Sequence, residues 1–252
     1  MQDERLRAVL AHQRYPLLFA TLGGSYLYGF PSPDSDYDLR GAHILPLREV
    51  IGLREPKDTI KHTAIYEGTE VDLVTYDIYK FFKLLLGKNG SALEAVYSPL
   101  VIHAAPEHEE LKTLVKGCLT RYYAYHYLGF ANNQIKQARK QELLQVKSVL
   151  SIYRALLTGL HLLRTGEIET NLWRLNDIFR LPYIPELIAR KQAASEKAEL
   201  EDKATDLHMA EWRRLLSELE HSVESSVLPT APSARAIENL NDLLIRLRLQ
   251  TV

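Results

Sequence analysis

LLFATLGGSYLYGFPSPDSDYDLRG, residues 17–41, decides the fold. Residues 17–22 form a short apolar run that stops at Gly23-Gly24, the pattern of a buried strand entering a turn. Tyr37 to Leu45 reads as a second strand, ended by Pro46. Between them, glycine lets backbone N–H groups approach an anion closely. A short helix after it turns its positive N-terminus to the same place. Ser25 adds a hydroxyl donor. Asp36 follows eleven residues after Ser25, and Asp38 stands at i+2 from Asp36. Positions i and i+2 of a strand project from one face. Two carboxylates placed so repel each other unless a cation lies between them, and hard oxygen ligands suit Mg²⁺ or Mn²⁺.

Outward from this stretch, residues 59–66 and 69–75 read as two strands around Glu67-Gly68, a hairpin turn. In the second of them Glu70 and Asp72 share a face, and Asp72, followed by Leu73-Val74, is the candidate third carboxylate. Three carboxylates holding divalent cations suit nucleotidyl transfer, in which an attacking hydroxyl is activated and a triphosphate is held. Arg40 is expected to face away from Asp38 and is left outside the set. Residues 77–86 read as a helix with Asp77 as N-cap and Gly87 as its stop, and 90–97 as a second one. Residues 3–14 carry Leu6, Val9 and Leu10 at helical spacing.

Beyond about residue 107 the 3.6-residue period dominates, over 107–129, 134–165, 185–200, 205–226 and 233–250. The expected fold class is therefore α+β: a small mixed-sheet domain over residues 1–105, then an all-α helical domain over 106–252. At 252 residues the chain can bury a full core without disulfides or metals, and Cys118 is its single cysteine. No run approaches the roughly 18 apolar residues of a membrane span. The N-terminus lacks an apolar signal core. A cytoplasmic protein with no membrane partner is expected.

The net charge of −1 conceals an asymmetry. Residues 1–110 hold 11 Lys and Arg against 16 Asp and Glu, whereas residues 111–190 hold 12 against 5. An acidic metal-carboxylate half beside a basic wall suits a polyanionic partner; the alternative is solvated helix faces.

Gly24-Ser25 followed by Asp36-x-Asp38 resembles the signature of the DNA polymerase beta nucleotidyltransferase superfamily. The segments Tyr28-Gly29, Pro33 to Gly41, Glu70-Val71-Asp72-Leu73, Leu93-Glu94, Ser98-Pro99, Lys147 to Arg154 and Thr165-Gly166-Glu167 resemble its RNA-ligase-associated branch. The motifs that carry the likeness span roughly residues 20–170, and none is assigned in residues 171–252. It implies an enzyme that moves an NMP from an NTP such as ATP, with Mg²⁺ (or Mn²⁺), to an acceptor hydroxyl, releasing pyrophosphate. By position it implies that Gly24 and Ser25 hold the triphosphate and that Asp36 and Asp38 bind both metals. Asp72 would bind the catalytic metal and serve as or position the base, and Lys147 would be a triphosphate ligand. Association with RNA ligases makes an RNA end the expected acceptor, reached through the basic segment 111–190. The alternatives are the same chemistry on a protein or small-molecule acceptor, as in toxin–antitoxin systems, or a catalytically silent nucleotide- or RNA-binding module.

Other residues read more plainly. Lys147 and Arg154 lie on nearly one helix face, either snorkelling at its edge or facing a triphosphate. The cluster Arg121-Tyr122-Tyr123-Ala124-Tyr125-His126-Tyr127 could stack nucleobases, but its tyrosines cover more than one face, which favours core packing. The nine histidines show no zinc-ligand spacing. Cys118 reads as a buried small hydrophobe. The acidic stretch 191–224 reads as solvated helices or an oligomer contact.

Overall fold

The computed structural model describes residues 2–66, 68–141, 143–193, 200 and 202–250. The chain forms two compact units, Met1–Gly24 with Asp36–Leu119 and Ala231–Val252, and Ser25–Ser35 with Thr120–Thr230.

The first unit is built on a five-stranded mixed sheet. Its strands are β1 (Leu17–Leu22), β2 (Tyr37–His43), β3 (Thr59–Tyr66), β4 (Thr69–Asp77) and β5 (Val101–Ala104), in the spatial order β3-β4-β2-β1-β5. β2 and β4 run parallel and the other neighbouring pairs antiparallel. β1, flanked by strands on both sides, is apolar except for Thr21, whose hydroxyl is hydrogen-bonded, and every residue after Leu17 is buried. β4 alternates instead, burying Val71, Leu73, Thr75 and Asp77 while Glu70, Asp72, Val74 and Tyr76 line its more open face.

Helices α4 (Ile78–Leu86), α5 (Gly90–Tyr97) and α6 (Glu107–Lys116) pack on the sheet or on each other. α1 (Gln2–Ala11) buries Leu6, Val9 and Leu10; α2 (Gly24–Tyr28) and α3 (Leu47–Val50) are short. The Asp77 carboxylate caps α4, accepting from the Tyr79 N–H at 3.1 Å, and Asn89 caps α5 in the same way through Ala92.

The second unit is helical. α7 (Ala124–Ala138) and α8 (Val146–Thr165) pack together, with α9 (Leu172–Phe179), α10 (Ile184–Ala193) and α11 (Asp202–Ser222) also against α8. α8 is long and apolar enough by length and composition to cross a membrane, contrary to the expectation that no such run exists. Its apolarity has a simpler cause: it is the core helix of this unit, and 78% of its most apolar window is buried in protein. Gly166, at φ +77°, ends it.

The α+β class and the mixed sheet are as expected, but the compact units are not the contiguous stretches 1–105 and 106–252. The C-terminal helix α12 (Ala234–Gln250) packs on α6 and α4 beside the sheet. Residues 25–35, in contrast, belong with the helices. Periodicity identifies a helix but carries no information about which distant element buries its apolar face. β5 lies where the sequence suggested a boundary; four residues with one buried side chain leave too short a pattern to read. The helical periods over 107–129 and 134–165 are each interrupted, the first at Gly117 to Thr120 and the second after Ala138. Of the acidic stretch 191–224, residues 194–199 and 201 lie outside the described residues.

Candidate active site

The carboxylates of β2 and β4 come together through register. In the parallel ladder Asp38 stands opposite Asp72, so both side chains leave the same face of the sheet on adjacent strands. The Thr63 hydroxyl of β3, also in register with Asp72, donates to its Oδ1 at 3.2 Å.

Arg40 completes this group. Its Nη2 donates to Asp38 Oδ1 at 2.6 Å and to Asp72 Oδ2 at 3.2 Å, and its Nη1 donates to the backbone oxygens of Leu39 and Asp72. The expectation that Arg40 faces away from Asp38 is therefore wrong, and the reason is elementary. Residues 38 and 40 are i and i+2 on one strand, so the alternation rule applied to Asp36 and Asp38 puts Arg40 beside Asp38. The expected repulsion concerns Asp36 and Asp38; the carboxylates that register brings together are Asp38 and Asp72, and a guanidinium bonds both.

Gly24 approaches this group from the end of β1. Its φ is +58°, a conformation that costs a glycine little, and a Cβ there would lie 2.0 Å from Asp38 Oδ2. Glycine is thus required twice, by backbone conformation and by the carboxylate. The Gly23 N–H donates to the Asp38 carbonyl at 2.7 Å, which ties the turn to β2. Ser98 fixes the strand end just before the turn: its hydroxyl donates to the Leu22 carbonyl at 2.8 Å, and the Leu22 N–H donates to the Leu100 carbonyl. This gives the Ser98-Pro99 pair a structural role that the sequence alone left without a mechanism.

The remaining expected residues stand as follows. Ser25 follows Gly24 in α2 and is buried. Asp36 is exposed and precedes the first residue of β2, so strand alternation does not set its direction. Lys147, half-buried, occupies the first turn of α8 in the helical unit. Arg154, its expected companion, is buried, with its guanidinium carbon 4.0 Å from the Tyr28 ring centroid. Asp38 and Asp72 supply hard oxygen donors to one place, a donor chemistry that fits a divalent cation, which would there compete with the Arg40 guanidinium. Among the described residues, no three carboxylate, imidazole or thiol groups converge as a metal cage.

The tyrosine cluster divides. Tyr123 and Tyr127 are core residues, whereas Tyr122 and Tyr125 stack with ring centroids 5.9 Å apart and Tyr125 is 59% exposed. Arg121 is occupied by the backbone oxygens of Glu224 and Leu228. Lys136, Arg139 and Lys140 are exposed near the end of α7.

The chain is similar to several known proteins. An uncharacterized protein of Methanocaldococcus jannaschii is 31% identical over 154 residues, 61% of this chain and 63% of its own length. The chain thus spans just under two thirds of that relative. The YcgL protein of Bacillus subtilis is 22% identical over 236 residues, covering 91% of this chain and 88% of its own. A solved nucleotidyltransferase-like protein from Exiguobacterium sibiricum aligns over 89% of this chain and 75% of its own, with 14% identity and a TM-score of 0.35. The profile of the RNA repair pathway DNA polymerase beta family matches residues 1–246, which include Gly24, Asp38, Arg40 and Asp72. On that match, which runs through both compact units, the chain belongs to the RNA repair pathway DNA polymerase beta family.

Proposed function

We propose that the protein is a cytoplasmic, Mg²⁺-dependent nucleotidyltransferase that moves an NMP from an NTP to a hydroxyl at an RNA end and releases pyrophosphate. The observation that carries this reading is the convergence of Gly24, Asp38 and Asp72 at the end of β1 in a member of this family. In this reading Asp38 and Asp72, with Asp36, would hold the divalent cation. Bound there, the cation would supply charge to the triphosphate and acidify the attacking hydroxyl. Gly24 lets the backbone turn tightly against the Asp38 carboxylate, and in this reading Gly24, Ser25 and Lys147 are the residues assigned to the triphosphate. Asp72 orients the acceptor hydroxyl and takes up or relays its proton.

The test is incubation with each labelled NTP, Mg²⁺ or Mn²⁺, and total RNA or lysate. Label on RNA supports the reading. Label on a protein or small molecule moves the acceptor while keeping the chemistry. Nucleotide binding without transfer would make the chain a silent binding module. The unfolding midpoint gives an independent arm: a wild-type protein that gains no stability from Mg²⁺ with NTP over a wide concentration range does not bind nucleotide, and the reading fails.

A further inference from the structure

The segment 25–35 joins Gly24 to Asp36, yet it packs as part of the helical unit. Three helices of that unit each hold it with a different side chain. From α8, the buried Arg154 lays its guanidinium over the Tyr28 ring at 4.0 Å. From the start of α9, Asn171 fits against Gly29. Gly29 has φ +85°, and a Cβ on it would come within 2.7 Å of the Asn171 amide. From α10, Lys191 is fully buried, and its ammonium donates to the Ser32 hydroxyl.

Ser32 and Ser35 form a closed knot under that lysine. Their hydroxyls lie 3.0 Å apart, the Ser32 N–H donates to Ser35 Oγ at 2.9 Å, and the Ser35 N–H donates to the Ser32 carbonyl at 3.0 Å. Both serines are buried. A buried ammonium is costly unless hydrogen-bonded, so each partner it keeps is held firmly in place. The residue after this knot is Asp36, and the residue that opens the segment is Ser25.

We propose that Lys191 is a positioning residue for the nucleotide site: through the Ser32–Ser35 knot it fixes the segment between Gly24 and Asp36, and with it the directions of Ser25 and Asp36. Arg154 and Asn171 brace the same segment at Tyr28 and Gly29. This rests on the nucleotidyltransferase reading above. It gives the helical unit a part in nucleotide affinity that acts through the peptide chain itself, and it assigns Arg154 to bracing rather than to phosphate.

The test uses Lys191→Met, which keeps an unbranched side chain one atom shorter and removes the charge, and Ser32→Ala, which removes a single oxygen and stands in if the first variant does not fold. Amide hydrogen exchange is read without nucleotide, and NTP affinity is read from the Mg²⁺–NTP shift of each variant's own unfolding midpoint. The expected result is exchange at residues 30–36 at least tenfold faster, with β1 and α8 unchanged, and an NTP dissociation constant at least tenfold higher. A general loss of stability would speed exchange throughout and leave the dissociation constant alone, and that outcome overturns the proposal. So does unchanged exchange at 30–36, or faster exchange with unchanged affinity. If the wild type itself binds no NTP, the nucleotide reading has failed and the proposal falls with it, even where exchange shows the knot to be real.

Discussion

Arg40 changes what substitutions at the carboxylates should do. With bare repulsion, Asp38→Ala would stabilise the metal-free protein. With Arg40 bonded to both Asp38 and Asp72, it instead removes a charge-assisted partner, so the metal-free unfolding midpoint should fall. Arg40→Met should cost roughly 1 kcal/mol, because these side chains are about one-third exposed and solvent screens them. Since a divalent cation need no longer displace a guanidinium, Mg²⁺ should raise the midpoint of Arg40→Met more than that of the wild type. Calorimetry with and without Mg²⁺ checks both statements, and an equal Mg²⁺ shift in the two proteins would refute the second. Gly24→Ala should destabilise by about 1–3 kcal/mol through its left-handed conformation and its clash with Asp38. It should also weaken NTP binding more than Ser25→Ala does, and isothermal titration would separate the two.

At the scale of elements, α12 is locked to the sheet by a buried ion pair. Arg248 donates to the Asp77 carboxylate and, at 2.7 Å, to the Leu45 carbonyl; both side chains are less than a tenth exposed. Asp77 also caps α4 and accepts from the Leu45 N–H. Either Arg248→Met or Asp77→Asn leaves a buried charge without its partner, so each should cost about 3–5 kcal/mol. The double variant should cost less than the sum, as a denaturant-based double-mutant cycle would measure.

The same region carries a pH-dependent group. His43, fully buried on β2, bonds the Thr75 hydroxyl through Nδ1 and stacks on Tyr15. Burial pushes its pKa down to about 4, helped by the Arg248 charge and opposed by Asp77 and Asp58. The unfolded chain then binds the proton first. Stability is complete above about pH 6.5 and is lost as pH falls from there toward 4. Burial also lowers the pKa of His108 and His208, which adds to the same slope. Urea unfolding as a function of pH should show this decline, and His43→Phe should make it shallower without abolishing it.

For the whole molecule, the basic excess of residues 111–190 is smaller in effect than in count. Arg121 bonds backbone oxygens, Arg154 is buried, and Arg164 and Arg174 pair with Glu218 and Glu169. Lys112 pairs with Glu109 on α6, in the sheet-containing unit. Lys136, Arg139 and Lys140 remain exposed and make no ion pair among the described residues. If RNA is the acceptor, its affinity should fall steeply with salt. Reversing these three charges should flatten the log–log slope by about 2, at roughly 0.7 per contact to single strands, and spare NTP binding. Lys147→Ala should have the opposite pattern. Filter binding across a salt series measures the slope, and an RNA affinity indifferent to salt would remove RNA from the reading.

The sequence by itself determined what depends on neighbours along the chain. β1, β2 and the 59–75 hairpin follow from runs and alternation, the start of α4 from Asp77, and the Gly24–Asp38 spacing from strand and turn chemistry. Even Arg40 was legible, since two residues after Asp38 is a local relation. Tertiary structure decided what depends on burial by distant segments. The register that sets Asp38 against Asp72 joins strands more than thirty residues apart in sequence. The return of α12 to the sheet and the placement of residues 25–35 with the helices depend on which apolar faces and buried charges find partners. A periodic pattern shows that a face must be covered, while the covering element is selected only when the whole chain packs.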